Sequence, residues 1–241
     1  MGEPARAVVE TRDLSKVYQV GSQPVVALNR VSLSIPAGTF AAVVGTSGSG
    51  KSTLLNMIGG LEKPTAGEVW VAGHPLHEFS EEELVSFRRE QVGFVFQSFN
   101  LIPTMTAVEN VAWPLAFQGV AKAERLARAA ASLRTVGLGK HLDHKPTQMS
   151  GGQQQRVGIA RALVVNPRIV FADEPTGNLD SHTAERTLEL FRRFIERYHQ
   201  TWVMVTHDQH LASFADMIIR IGDGCVTDID RSGPATGQEG A

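Results

Sequence analysis

The chain has 241 residues, enough for one large domain or two small ones with an ample core. Its 23 Lys and Arg stand against 25 Asp and Glu, and a net charge of −2 leaves no basic footprint for nucleic acid. Apolar residues make up 42% of it, yet no apolar run approaches the ~20 residues that cross a bilayer, so any membrane role is expected to come through a partner.

The single cysteine, Cys225, excludes an internal disulfide and suits a reducing cytosol. The first six residues contain no apolar signal region, so no leader is expected. Residues 8–20 and 25–35 alternate loosely around the turn Gly21-Ser22-Gln23-Pro24, which predicts an antiparallel hairpin. The apolar run 40–44 reads as a strand and 54–58 as a helix, with Gly45-Thr46-Ser47-Gly48-Ser49-Gly50-Lys51-Ser52-Thr53 between them.

Strand, glycine-rich turn, then Lys-Ser at a helix start is the setting of a phosphate loop. The glycines let backbone N–H groups turn inward, and the helix start adds unpaired N–H groups and positive dipole. Lys51 would reach the β- and γ-phosphates of a nucleoside triphosphate, and the Ser52 hydroxyl would take one site on Mg²⁺.

A short strand is predicted at 68–72, and Ser80 with Glu83 reads as a capping box for a helix to about residue 89. The apolar run 92–96 reads as a buried parallel strand closing at Gln97. From Ser98 to about Ala162 the pattern changes to three helices, predicted over 106–117, 122–133 and 151–163. Strands at 169–172 and 202–205 flank an amphipathic helix at 184–198, and this β-helix-β alternation argues for a parallel sheet covered on both faces. Short strands close the chain near 217–221 and 225–229, and the Gly/Pro-rich tail from Ser232 is expected to be disordered.

The polar residues that end these strands form a second line of argument. In a parallel sheet, ligands gather at the carboxyl ends of the strands. Asp173 ends one strand and would reach the Mg²⁺ shell, while Glu174 is placed to act as general base on a water. His207 follows another strand and can hold a γ-phosphate or the attacking water, and Gln97 offers a neutral oxygen to the metal. Ser150, Gly151, Gly152 and Gln153 open a helix with a serine cap and two glycines, a second anion-binding terminus. Tyr18 lies in the first strand, where half-buried packing is the plain reading.

With these residues in order, the chain resembles the nucleotide-binding subunit of an ABC transporter over nearly its whole length. Residues 45–52 match Walker A, 169–173 Walker B with Glu174 as the catalytic carboxylate, Gln97 the Q-loop, 177–180 the D-loop and His207 the H-loop. Ser150-Gly151-Gly152-Gln153 matches the signature, with Met149 where leucine is usual. Tyr18 falls where the family stacks an aromatic on adenine.

The resemblance implies an α/β fold: a P-loop NTPase (RecA-like) core over 1–97 and 163–231, an N-terminal antiparallel β-subdomain and an inserted helical subdomain over 98–162. It also implies an ATPase in which ATP and Mg²⁺ are shared by two copies meeting head to tail, the Ser150–Gln153 turn of one covering the γ-phosphate held by Lys51 of the other. The strings 150–156 and 172–180 look most like the macrolide-exporter and lipoprotein-release ATPases, which serve a separate permease. That places the subunit on the cytoplasmic face of the membrane, held by its partner. A soluble ATPase of the same type, without a permease, is the competing reading. A kinase or GTPase with the same loop accounts for neither Ser150–Gln153 nor His207. The apolar loop after Gln97, with Phe99, Leu101 and Ile102, is expected to floor a groove for a short permease helix.

Overall fold

The computed structural model describes residues 7–231; the tail expected from Ser232 lies outside the described residues. Strand β1 (Ala7–Val20) pairs antiparallel with β2 (Gln23–Pro36). The turn is tighter than the sequence suggested: Gln23 and Pro24 already pair with Val20 and Gln19, leaving only Gly21 and Ser22 to reverse the chain. Gly21 has φ +61, which suits a two-residue hairpin. β1 also pairs with β4 (Ala66–Val71), and the two-residue β5 (His74–Pro75) completes a four-stranded antiparallel sheet.

The second sheet has six strands in the order β10-β9-β3-β8-β7-β6. Its parallel body comprises β3 (Phe40–Val44), β6 (Val92–Phe96), β7 (Ile169–Asp173), β8 (Thr201–Thr206) and β9 (Met217–Gly222), while β10 (Cys225–Asp230) returns antiparallel at the edge. Because side chains alternate along a strand, each central strand feeds two cores. Phe40, Ala42, Val170, Ala172, Trp202 and Met204 face one cluster; Ala41, Val43, Ile169, Phe171, Val203 and Val205 face the other. Near-continuous apolar runs are what burial on both faces requires.

One cluster joins the sheet to the antiparallel strands, to α1 (Lys51–Ile58) and to α2 (Glu81–Gln91). The other joins it to α6 (Ser181–Tyr198), α7 (Gln209–Ala212) and the helices α3 (Ala107–Phe117), α4 (Lys122–Thr135) and α5 (Gly151–Leu163). Met149, the departure from leucine in the signature, lies in this cluster and is buried, an apolar exchange that the packing accepts.

The helices begin where their sequences cap them. Ser80 and Glu83 form the expected capping box on α2, and Thr106 with Glu109 forms a matching one on α3. Helix α6 starts three residues before the amphipathic stretch, because the Asp180 side chain accepts the Thr183 N–H.

Hydrogen bonds from the Thr106 backbone and hydroxyl hold the Glu109 carboxyl below its ordinary range. A depressed carboxyl contributes stability that is complete above the unfolded value, about 4.3, and is lost as pH falls through the lower folded value. The gap in urea midpoint between wild type and Glu109→Ala should therefore be widest at neutral pH and close in acid. A gap that does not change with pH would show that the cap acts without its charge.

Candidate nucleotide site

The register of the parallel sheet assembles the site. Val44 is opposite Thr206, Asp173 is opposite Val205 on one side and Phe96 on the other. The residues that follow these ends, Gly45, His207, Glu174 and Gln97, therefore emerge along one edge of the sheet.

Residues 45–50 leave β3 and turn into α1. A Cβ on Gly45 would stand 2.2 Å from the Ile221 carbonyl oxygen, so the loop can pass under β9 only as glycine. Gly50 has φ +102, and a Cβ there would lie 2.4 Å from the Ala27 carbonyl oxygen. Unlike α2, α3, α5 and α6, helix α1 has no side-chain cap, and its first turn carries no acid. Its first N–H groups are left for an external anion.

Lys51 is buried, and its Nζ donates to the Thr46 carbonyl at 2.6 Å. No carboxylate among the described residues pairs with it. The Ser49 hydroxyl is buried without a partner. A buried ammonium with no carboxylate in direct contact, beside open N–H groups, fits a polyphosphate.

Next to it, the Ser52 hydroxyl stands 3.5 Å from Asp173 Oδ1. Burial pushes the Asp173 carboxyl above its ordinary range, and the charge of Glu174 adds to this; the Ser52 hydrogen bond and the charge of Lys51 oppose it. A hydroxyl and a strained carboxylate at this spacing suit a small hard cation such as Mg²⁺, whose charge would relieve both effects.

Glu174 Oε1 lies 2.9 Å from His207 Nδ1, so the pair expected from two separate strand ends meets directly. Glu174 holds φ +43, a left-handed conformation, while its own N–H donates to the Val205 carbonyl at 3.0 Å. The turn that aims its carboxylate away from Asp173 is thus held by the neighbouring strand. Gln97 is exposed, and its side-chain amide rests against Gly177, where a Cβ would be 2.7 Å from Nε2. Its backbone carbonyl accepts from Asn178 Nδ2 at 3.0 Å.

Tyr18 is brought beside Thr53 of α1, and its hydroxyl donates to Glu62 Oε2 at 2.7 Å. Burial raises the Tyr18 hydroxyl pKa, with the Glu62 bond adding and Thr53 opposing. Burial alone would raise the Glu62 carboxyl, but hydrogen bonds from Tyr18, Asn56 and Lys16, with the charge of Lys16, hold it below its ordinary range. Nothing in sequence spacing marks Glu62 as the anchor of that ring, since 44 residues separate the two.

At the start of α5, the Ser150 hydroxyl accepts the Gln153 N–H at 3.3 Å, and Gln153 Oε1 accepts the Ser150 N–H at 2.9 Å. The cleft at this turn is lined by Gly151, Gly152, Arg156, Thr183 and residues 178–180, with nothing from residues 45–53. Two residues beyond Gln153, Gln155 is wholly buried and its Nε2 donates to the Pro175 carbonyl at 2.5 Å, tying α5 to the stretch after Glu174. A glutamine at an inward helical position was the available signal for it.

The profile of the ABC transporter family matches residues 28–177. The chain belongs to that family, as an ABC ATP-binding protein. It is 45% identical over 219 residues to the lipoprotein-releasing system ATP-binding protein LolD of Pseudomonas fluorescens, covering 91% of this chain and 96% of LolD. It is 47% identical over 221 residues to the macrolide export ATP-binding/permease protein MacB of Syntrophobacter fumaroxidans, covering 91% of this chain but only 31% of MacB. Among solved structures, the dimeric post-hydrolysis state of the ATP-binding cassette MJ0796 of Methanocaldococcus jannaschii, bound to ADP and Pi, superposes with a TM-score of 0.86 at 45% identity, covering 93% of this chain and 98% of that one. The fold is that of an ABC cassette, ATP with Mg²⁺ is its nucleotide and ion, and the ABC protein hydrolyses ATP.

The loop after Gln97 is arranged differently from the sequence expectation. An apolar groove of about 470 Å³ does lie beside it, but the groove is walled by Leu61, Val85, Phe94, Phe96, Pro114 and Phe117. Of the loop only Asn100 reaches it. Leu101 packs against the core that the helices share with the sheet, the Phe99 ring lies against Gly151, and Ile102 is tied through its backbone to Asn110. Phe99 and Asn100 both have left-handed φ, of 60 and 48, and the Arg161 guanidinium holds their carbonyls.

The left-handed Glu174 suggests a stability test. Glu174→Gly removes backbone strain worth about 1 kcal/mol, against a chain-entropy cost of ~0.5–1 kcal/mol, and also removes the charge that raises the Asp173 carboxyl. Glu174→Gly should melt no lower than wild type. A Tm several degrees below wild type would mean that Glu174 supports the fold through contacts that outweigh its strain.

Proposed function

We propose that this ABC ATPase powers a separate membrane permease, of the kind served by macrolide-export and lipoprotein-release ATPases, through ATP-driven head-to-tail pairing of two copies. The observation that carries the pairing is that the phosphate loop and the Ser150 turn line different clefts of one chain. The Ser150 turn opens on a cleft that no residue of the 45–53 loop lines, so a phosphate held at Lys51 meets this turn only if a second copy supplies it. The MJ0796 cassette is dimeric with ADP and Pi bound, which supports the same arrangement here.

In this reading Lys51 and the N–H groups at 46–53 hold the β- and γ-phosphates, and Tyr18 stacks on adenine. Ser52, Gln97 and, through water, Asp173 would hold Mg²⁺, which when bound supplies positive charge against the phosphate oxygens. Glu174 takes a proton from the attacking water as general base, and His207, 2.9 Å from that carboxylate, keeps it aimed. Gln97, resting on Gly177, joins the site to the helical segment 98–162.

Among the described residues no helix is long and apolar enough to cross a membrane. We assign the permease contact to the groove between α2, β6 and α3, where Val85 is 52% and Phe117 61% exposed. Arg88 and Arg89 at its wall would favour an apolar helix with an acidic flank. The chain would then sit peripherally on the cytoplasmic face of the membrane.

Glu174→Gln should cut hydrolysis by at least roughly a hundredfold while ATP still binds, and an ATP-bound dimer should accumulate on size exclusion. Adding Gly151→Asp to that variant should abolish the dimer and spare ATP binding by the monomer. A Cβ at Gly151 meets only ordinary contacts, the nearest at 3.7 Å, and an acid in the first turn suits the helix, so the substitution folds. A dimer that survives Gly151→Asp removes the signature turn from the interface.

For the groove, Phe117→Asp should remain folded and hydrolyse ATP but leave the membrane fraction of host cells for the soluble one. Unchanged sedimentation with membranes rules the groove out as the docking site.

A further inference from the structure

The signature turn has a support that its own residues do not supply. Gln153 Oε1 is committed to the Ser150 N–H at 2.9 Å, which fixes the orientation of the amide and directs its Nε2 at the ring of His141, whose Nε2 is 3.3 Å away. An amide nitrogen only donates, so the imidazole accepts there and carries its own proton on Nδ1. Nδ1 is buried and has no partner, so the ring turns its one accepting nitrogen to Gln153 and leaves its donor unused.

Two features hold His141 in that pose. Its N–H donates to the Leu138 carbonyl at 2.9 Å, and its carbonyl accepts from the His144 N–H at 3.2 Å, closing the loop on itself. The same loop is pinned to the start of α3: the Leu142 and His144 carbonyls accept the Val108 and Ala107 N–H groups at 3.0 and 2.8 Å. The His144 ring lies 5.0 Å from that of His141 and limits its rotation. A continuous set of bonds thus runs from the first turn of α3 through His141 and Gln153 to Ser150.

We propose that His141 is a positioning residue for ATP hydrolysis: by accepting from Gln153 it locks the Ser150 turn in the pose in which Gly151 and Gly152 meet the nucleotide of the other copy. The proposal rests on the head-to-tail reading above. It concerns turnover and not capture of ATP, because the bonds of His141 run to Gln153, Leu138 and His144 and none to residues 45–53.

The test compares full-length wild type with His141→Phe, His141→Gln and Gly151→Asp in steady-state ATP hydrolysis and thermal melting. Phenylalanine keeps a ring but cannot accept; the glutamine oxygen can. Loss of one such bond should lower kcat by ~10-fold in His141→Phe, with KM for ATP within about twofold and Tm unchanged. His141→Gln should recover kcat to within about threefold of wild type. If Gly151→Asp is inactive while His141→Phe turns over normally, the positioning role falls and the head-to-tail reading stands. If Gly151→Asp turns over normally, both fall, whatever His141→Phe does. If kcat and Tm drop together in His141→Phe and glutamine restores neither, His141 is a packing residue and the proposal is overturned.

Discussion

The parallel register of β6, β7, β8 and β3 is the constraint on which the rest of this molecule depends. Phe96, Asp173, Val205 with Thr206, and Val44 stand side by side, so four connections leave the sheet at one edge. A slip of one residue in any strand would turn its side chains to the opposite core and withdraw its polar end from the site. Two separate apolar clusters, one on each face, make such a slip costly, since every central strand contributes alternate residues to both. The site's geometry is thus inherited from hydrophobic packing several residues away from any polar group.

Around that edge the molecule keeps conformations that isolated segments would avoid. Glu174, Phe99 and Asn100 all hold positive φ without being glycine or, in the first two cases, asparagine. Each is restrained by a bond from another element: the Val205 carbonyl for Glu174, and the Arg161 guanidinium for the carbonyls of Phe99 and Asn100. Burial pulls the guanidinium of Arg161 below its ordinary pKa, and its partners here are neutral carbonyls. Strain of this kind persists where the surroundings over-determine it, and here it sits on the connections that follow β6 and β7.

The helical segment 98–162 has no separate apolar core. Its residues join the same cluster as one face of the parallel sheet, so a displacement of α3 or α5 is felt by β6 and β7. Gln155, on the buried face of α5 and bonded to Pro175, extends that link to the stretch that follows Glu174. With the groove bounded by α3 and β6, the outer surface, the signature turn and the nucleotide edge are parts of one packed body. In the proposed dimer this is how occupancy of the γ-phosphate could be read at the membrane side.

Much of this was legible in the chain because the signals are contiguous. Strand, glycine turn and Lys-Ser at a helix start, the capping box at Ser80, the serine cap at Ser150, and the apolar runs ending in Gln97, Asp173 and His207 are all patterns of near neighbours, and each expected element formed within a few residues of its bounds, while the short β5 and α7 were not foreseen. What depended on distant partners was decided only by the fold. Glu62 reaches Tyr18 across 44 residues, Glu174 meets His207 across 33, and Gln155 finds Pro175 across 20. The apolar loop after Gln97 reads as one surface, yet Phe99 lies against the signature turn, Leu101 packs against the core, and the groove takes its walls from α2, β6 and α3. Local sequence determines which residues can form a turn, a strand or a cap, because those bonds close within a few residues. Which side chains then share a surface is set by register and packing between elements, and no short window of sequence contains both partners.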